Sequence, residues 1–236
     1  MEINYFNSEL YEHRENIKIK LKSGINIKLS ELNSLVGTPF ELVKSMDCYG
    51  LPISNLSGIE IFENLKSLSI KNSLIKSVSC ISSLKKLKKL NISGNFISDI
   101  SEIENLIKLK VLVISYNRLT SIEPLKNLED LEYLDISFNS ITSIESLSEA
   151  YKLKWLYIEY NYIKNLLCLN NCRCLHHLIL DSNEVEDISV IKNFTKLELF
   201  KCINNKILNF EILRETFHEK FPLKNIYVSI FPQRIF

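Results

Sequence analysis

Apolar residues recur along this chain at a fixed interval. Counting in steps of 22 from Met46 reaches an apolar side chain at every step. The positions reached are Leu68, Leu90, Leu112, Leu134, Leu156, Leu178 and Phe200. A period of this length is far longer than that of a helix or a strand, so it indicates a supersecondary unit whose copies stack on one another. The pattern therefore predicts a repeat array with one continuous core.

Around each of these positions the sequence follows Leu-x-x-Leu-x-Leu-x-x-Asn-x-Leu, with Ile, Val, Phe or Cys allowed at the apolar places. One unit shows it in full, with Leu87, Leu90, Ile92, Asn95, Ile97, Ile100, Ile103 and Leu106. This spacing is the leucine-rich repeat signature, in which each unit adds one strand to a curved stack. It predicts an α/β repeat fold, a leucine-rich repeat solenoid. A curved parallel β-sheet would form its concave face, 3₁₀ or extended segments its convex side, and caps both ends.

The unbroken register predicts one continuous domain in three parts. Residues 1–41 are the N-terminal cap, 42–207 the leucine-rich repeats and 208–236 the C-terminal cap. In the first cap we expect a hairpin that pairs Ile19 with Ile27 and Leu21 with Ile25 around a left-handed Gly24. One or two short helices should follow, with Ser30 and Thr38 as their N-caps.

The C-terminal cap should contain a helix and a final strand. Apolar residues recur at helical spacing behind Asn209, a residue suited to capping a helix. Pro222 would end that helix, and the strand motif then returns around Ile226.

Asparagines fall at one phase of the repeat, at the turn that follows each strand. They are Asn95, Asn117, Asn139, Asn161, Asn183 and Asn205. If the side chains point inward, each amide can bond backbone groups of the turn that would otherwise be unpaired. The pattern predicts an asparagine ladder that is incomplete in the first two repeats, where Leu51 and Ser73 occupy this phase.

The 22-residue unit resembles the subclass found in the regulatory subunit of type 1 protein phosphatase and in bacterial internalins, over residues 42–207, about 70 per cent of the chain. The segment MDCYGLPISNLSGIEIF has the spacing of an internalin first repeat. LRETFHEKFPLKNI loosely resembles the terminal cap of the phosphatase subunit, without its usual tyrosine and aspartate. The resemblance implies the fold described above and a role in binding proteins.

Composition narrows the functional classes. The formal net charge of +1 excludes the broad basic surface expected of a sequence-independent nucleic-acid or membrane binder. The N-terminal sequence lacks the basic start and apolar run of a secretory signal, and no stretch has the ~18 apolar residues that span a bilayer. We therefore expect a cytoplasmic protein, with all six cysteines reduced.

Two segments could suggest other chemistry. SLKKLKKLN carries four lysines, which leaves nucleic-acid binding as a remote alternative. In CLNNCRCLHH the repeat phase places Cys168 on the convex side, Cys172 in the core and His177 on the concave side, so these residues cannot converge on a metal. With no phosphate loop, nucleophile elbow or triad, we expect a non-enzymatic protein without a cofactor or a small-molecule substrate.

Aromatic residues crowd into three adjacent repeats, and the candidate binding residues include their acidic neighbours and a histidine. Most fall at phases that should face outward from the concave side, while Tyr116, Phe138 and Tyr160 fall on the rim that leads into the asparagine turn. The candidates are Tyr116, Tyr133, Asp135, Phe138, Trp155, Tyr157, Glu159, Tyr160, His177 and Asp181. Because core packing uses the leucine positions, the fold does not require rings here. Clustered Trp and Tyr with charged neighbours are typical of a binding hot spot. An alternative is that the rings stack on one another and stiffen the sheet.

Taken together, the sequence predicts a monomeric interaction module that binds a protein partner in its concave face and regulates or inhibits it. Two partner classes stay open. A phosphatase catalytic subunit fits the subclass resemblance, and a toxin neutralised by a small immunity protein fits the single-module chain.

Overall fold

The structure is a computed structural model that describes residues 16–21, 26–28, 39–220 and 226–227. The chain divides into two compact units, of which the first ends at Arg118 and the second begins at Leu119. Each unit contains parallel strands separated by short 3₁₀ turns. The cap and repeat boundaries expected from the sequence stay predictions.

The first unit begins with an antiparallel edge and continues as a parallel sheet. Its elements are β1 (Lys18–Leu21), β2 (Asn26–Lys28), the short helix α1 (Pro39–Leu42), β3 (Val43–Tyr49), β4 (Ser67–Lys71), β5 (Lys89–Asn91) and β6 (Val111–Val113). β1 pairs antiparallel with β2 and with β3, whereas β3 to β6 run parallel in chain order. Antiparallel pairing with β3 was not predicted, and it joins the hairpin directly to the first repeat.

The predicted hairpin register is partly within the described residues. Ile19 lies opposite Ile27, as the alternation of apolar residues requires. The loop with Gly24 and Ile25 lies outside the described residues, as do the expected helix caps Ser30 and Thr38.

The second unit is a parallel sheet followed by a helix. It contains β7 (Tyr133–Asp135), β8 (Trp155–Tyr157), β9 (His177–Ile179), β10 (Leu199–Lys201), the helix α2 (Glu211–Lys220) and β11 (Ile226–Tyr227). The expected terminal helix and final strand are α2 and β11, and Ile226 pairs in parallel with Phe200. No described helix is long and apolar enough to cross a membrane.

Residues that are one repeat apart in the sequence lie opposite each other on neighbouring strands. In the first unit Met46, Leu68, Leu90 and Leu112 lie side by side on successive strands. In the second unit Leu134, Leu156, Leu178 and Phe200 do the same. All eight side chains are buried. Because residues of one phase stack in columns, every repeat adds the same buried set, and each buried leucine contributes roughly 1.5 to 3 kcal/mol.

Short 3₁₀ segments return the chain from one strand to the next. They span Ile59–Ile61, Ser79–Ser83, Ser101–Asn105, Glu123–Leu125, Glu145–Leu147, Leu167–Asn171 and Ser189–Asn193. Bonds such as that from the N–H of Leu84 to the carbonyl of Ile81, 3.0 Å, show the i to i+3 pattern. The predicted leucine-rich repeat fold, with parallel strands and 3₁₀ return segments, is confirmed.

The asparagine ladder is also confirmed. Asn161 is buried, and its Oδ1 accepts from the N–H of Ile141 at 2.9 Å. Its Nδ2 donates to the carbonyls of Ile136 at 3.0 Å and Ile158 at 3.1 Å. Ser73, at the same phase near the start of the array, donates a single longer bond to the carbonyl of Lys71, 3.4 Å. Each asparagine therefore ties backbone groups of neighbouring repeats together.

All six cysteines are unpaired thiols. One placement from the sequence was wrong, because Cys168 is buried rather than on the convex surface. The 3₁₀ turn Leu167–Asn171 rotates it inward, so its thiol donates to the carbonyl of Ile144 at 3.2 Å, and Leu167 is exposed instead.

Candidate functional site

The strands β7, β8 and β9 bury one side and leave the other accessible. Leu134, Leu156 and Leu178 are fully buried, whereas Trp155 and Tyr157 on either side of Leu156 are half-buried. Successive strand side chains point to opposite sides of a sheet, which explains the alternation. We call the accessible side the open face, formed by Tyr133, Asp135, Trp155, Tyr157, Glu159, His177 and Asp181.

Aromatic rings on the open face contact one another across neighbouring strands. The ring centroids of Tyr133 lie 6.3 Å from those of Trp155 and 5.3 Å from those of Tyr157. Tyr157 meets His177 edge to face, and its hydroxyl is 3.2 Å from Nδ1 of His177. The rings are half-buried because they cover each other. Contact between neighbouring rings, part of the alternative raised from the sequence, is therefore present in the same cluster, in tilted and edge-to-face rather than stacked geometry.

Two further residues pack on Trp155, and sequence reasoning did not include them in the site. The imidazole of His176 stacks with its ring at a centroid distance of 6.2 Å, and Nζ of Lys154 lies 5.8 Å from the ring centroid. Lys154 also bonds Oε2 of Glu132 at 2.7 Å. The signal was available, since these residues share the phase directly before each strand. The backbone hydrogen bonds between neighbouring strands already begin at this position, where the N–H of Lys154 donates to the carbonyl of Glu132 at 2.8 Å.

Three carboxylates lie at the ends of these strands. Oδ1 of Asp135 accepts the N–H of Ser137 at 3.0 Å and its hydroxyl at 2.7 Å. Oδ1 of Asp181 accepts the N–H of Ile203 at 2.7 Å. Oε2 of Glu159 is buried and has no hydrogen-bond partner among the described residues. A buried carboxylate oxygen without a donor is costly, so Oε2 of Glu159 is an unsatisfied oxygen among the described residues of the open face.

The electrostatic setting shifts several pKa values in this cluster. Burial raises the pKa of Glu159, and Asp135 and Asp181 add to the shift, while hydrogen bonds from its own backbone and from Ser137 oppose it. Burial likewise raises the pKa of Asp181 against the bond from Ile203 and the charge of Lys201. The pKa of Tyr133 rises to about 12, through burial and then the field of Asp135. The open face thus holds negative charge that solvent screens incompletely.

His177 belongs to the same cluster but responds differently. Burial lowers its pKa, helped by His176 and opposed by Glu198. Burial also raises the pKa of Tyr157. At neutral pH the pair is therefore an uncharged phenol beside an uncharged imidazole, a polar contact without a cation.

Two aromatic residues follow the strands in an unfavourable backbone conformation. Phe138 and Tyr160 have φ values of 54° and 53°, and their rings stack with centroids 4.3 Å apart. The same phase in the first unit holds Gly50 and Gly94, which adopt φ of 65° and 66°. The left-handed region costs a bulky residue roughly 1 kcal/mol or more, so glycine or asparagine is the usual choice.

Nine of the ten residues singled out from the sequence therefore lie in the second unit, on β7 to β9 or in the turns directly after them. Tyr116 lies in the first unit, in the turn after β6, with φ of 55° and 57% exposure. It shares the left-handed phase of Phe138 and Tyr160. Among the described residues no group of three or more histidine, cysteine, aspartate or glutamate side chains could hold a metal ion.

Comparison with known proteins gives matches to a repeat model and to solved structures. The family model described as Leucine Rich repeats (2 copies) matches residues 63–105 and 107–149. No curated protein matches the chain with significance. Internalin C2 from Listeria monocytogenes superposes with a TM-score of 0.73 at 26% identity, over 81% of this chain and 82% of that one.

Two other solved structures extend the comparison. A leucine-rich repeat protein from Leptospira interrogans has a TM-score of 0.71 at 24% identity, over 81% of this chain and 51% of its own. The plant peptide hormone receptor RGFR1, solved in complex with RGF2, has a TM-score of 0.57 at 27% identity, over 64% of this chain and 26% of its own. This chain spans about half of the first protein and a quarter of the second. The repeat matches, the fold and the strand register together show that the chain contains leucine-rich repeats and has the fold that they build.

Proposed function

We propose that the protein is a non-enzymatic interaction module that binds a partner protein on the open face of the second unit, the face predicted to be concave, and regulates or inhibits that partner. The observation that carries the proposal is the cluster of Tyr133, Trp155 and Tyr157 on strands whose cores are filled by leucine. Large rings contribute most of the binding energy in many protein interfaces.

The likeness to internalin C2 and to a receptor solved with RGF2 supports a role in binding. Leucine-rich repeat proteins are generally interaction modules rather than enzymes. The rings and carboxylates are also held by contacts within the sheet, so little side-chain freedom would be lost when a partner docks. A cytoplasmic location stays a prediction.

Affinity capture from native lysate tests the proposal. The bait is the full chain, compared with Trp155→Ala/Tyr157→Ala and with a matched control, Val111→Ala/Val113→Ala. The control truncates apolar residues at the same two strand positions of β6, where the burial pattern is the same. We expect a protein that is retained by the native chain and by the control, and lost from the ring variant.

Circular dichroism should show that both variants keep the native fold. The captured protein is then purified and its Kd measured by calorimetry. Equal capture by the ring variant and the native chain would contradict the proposed surface.

A further inference from the structure

We propose that the partner enters the open face with an arginine side chain, whose guanidinium lies against the rings of Tyr133 and Tyr157 and pairs with the carboxylate of Glu159. This inference rests on the proposed function and specifies the chemistry of the segment that docks.

The first argument is the unsatisfied oxygen. Oε2 of Glu159 is buried and has no hydrogen-bond partner among the described residues, and the bonds that this carboxylate accepts from its own backbone and from Ser137 leave that oxygen unpaired. A donor brought by a partner would satisfy this oxygen once the groups that cover it move aside. A positively charged donor would also offset the mutual repulsion of the three acids.

The second argument is position. Tyr157 and Glu159 are separated by one residue on the same chain segment, so their side chains leave the same side of the sheet about 6.6 Å apart. Asp135 lies beside Tyr157 in the parallel register of β7 and β8. The fields of Asp135 and Glu159 both reach the hydroxyls of Tyr133 and Tyr157, as their raised pKa values record. The two carboxylates and the two tyrosine rings therefore surround one position on the open face.

The third argument selects arginine over other cations. A guanidinium is planar, stacks on aromatic faces and donates two parallel bonds to a carboxylate, whereas an ammonium acts as a point charge. The chain shows both kinds of contact elsewhere. Cζ of Arg118 lies 4.7 Å from the centroid of Phe96, and Nζ of Lys154 lies 5.8 Å from that of Trp155. Lys154 is already paired with Glu132, at 2.7 Å.

The experiment uses Trp155, the single tryptophan of the chain, as a fluorescent reporter inside the site. The probes are the peptide acetyl-Gly-Arg-Leu-Arg-Gly-amide and its citrulline counterpart, which keeps the shape and removes the charge. We expect a saturable change in Trp155 emission with the arginine peptide, at a Kd at least tenfold lower than with the citrulline peptide. Salt should weaken only the former.

Two variants place the effect on Glu159. Glu159→Gln should weaken the arginine peptide about tenfold and leave the citrulline peptide unchanged. Asp47→Asn is the matched control, since it removes a carboxylate from β3 that already pairs with Lys71 at 3.9 Å, and it should change neither Kd.

Three results would overturn the inference. These are equal affinity for the two peptides, no effect of Glu159→Gln, or no saturable response of Trp155 to either peptide. Partner capture separates this failure from that of the proposed function. If Glu159→Gln captures the partner as well as the native chain while Trp155→Ala/Tyr157→Ala does not, the docking surface stands and the arginine assignment is wrong.

Discussion

The two units build the same repeat with different open faces. At the strand position where the second unit has Tyr133, Trp155 and His177, the first unit has Ser67, Lys89 and Val111. Buried leucines, strand register and turn asparagines are alike in both. Since the first unit forms its sheet with serine, lysine and valine, the fold does not require rings at these positions. The buried leucines and turn asparagines, which we call the scaffold, therefore build the fold independently of the residues on the accessible side of the sheet.

The two units also differ in how the carboxylates on the accessible side of the sheet are paired. In the first unit the carboxylate of Asp47 on β3 pairs with Lys71 on β4. In the second unit Oε2 of Glu159 has no hydrogen-bond partner among the described residues, and its pKa is raised by burial and by two neighbouring acids. The first arrangement satisfies its carboxylate within the chain, whereas the second leaves a group that a ligand could satisfy.

The scaffold should respond alike in both units, and this is where we expect the largest effect on stability. Asn95→Ala and Asn161→Ala each remove an amide that binds at least three backbone groups. Each should cost about 3 kcal/mol of unfolding free energy, the upper range for orphaned buried polar groups. Ser73→Ala, which removes one long bond, should cost less than about 1 kcal/mol. Urea denaturation measures all three. A large difference between Asn95→Ala and Asn161→Ala would show that the units do not share one scaffold.

The surfaces should respond differently. Trp155→Ala should raise the Kd for the captured partner about 30-fold, equivalent to roughly 2 kcal/mol, because a ring at the centre of the cluster is lost. Val111→Ala, at the same strand position of β6, should change the Kd less than about twofold. Calorimetry of the purified complex measures both. Similar losses in the two variants would mean that the binding energy is not concentrated in the second unit.

Substituting Glu159 should change the stability of the fold less than the asparagine substitutions do, and the direction of the change shows which role Glu159 has. Its pKa is higher in the folded chain than in the unfolded chain, so its charge destabilises the fold above the folded pKa, and this penalty disappears as pH falls through that value. Glu159→Gln should therefore raise the Tm by about 1 to 3 °C at pH 7, allowing for partial solvent screening. Near pH 4, where the carboxyl is largely protonated in both states, the two melting curves should approach one another.

A lower Tm for Glu159→Gln at pH 7 would assign Glu159 to the scaffold rather than to recognition. A gain in stability combined with a loss of affinity is the pattern expected of a group kept for binding.

Most of the fold could be predicted from the sequence, because residues at the same position of each repeat line up in one buried column, and this alignment fixes the strand register. The leucines and asparagines carry that information in every repeat. The open face was harder to predict. Phase placed Trp155 and Tyr157 on the accessible side, but only coordinates show that His176 and Lys154 pack on Trp155. Periodicity places both residues directly before a strand, but the contacts themselves depend on rotamers, which periodicity does not describe. Likewise, phase alone wrongly placed Cys168, because a 3₁₀ turn rotates side chains differently from an extended segment.

The left-handed turn phase offers the finest test of the comparison, with the smallest expected effect. At this phase Tyr160 of the second unit and Gly94 of the first have the same left-handed backbone, which Tyr116 of the first unit also adopts. Tyr160→Gly removes the stacking with Phe138, worth about 0.5 to 1.5 kcal/mol, and relieves a backbone penalty of about 1 kcal/mol. The unfolding free energy should therefore change by less than about 0.5 kcal/mol.

Gly94→Ala is the reciprocal variant. It should destabilise by at least about 1 kcal/mol, since alanine is disfavoured at a φ of 66° and its Cβ would overlap Oδ1 of Asn72, whose side chain would have to move. Denaturant titration of both variants measures the difference. If Tyr160→Gly costs as much as Gly94→Ala, the ring of Tyr160 belongs to the scaffold. A near-neutral Tyr160→Gly that still weakens partner binding would extend the binding surface from the strands into the turns.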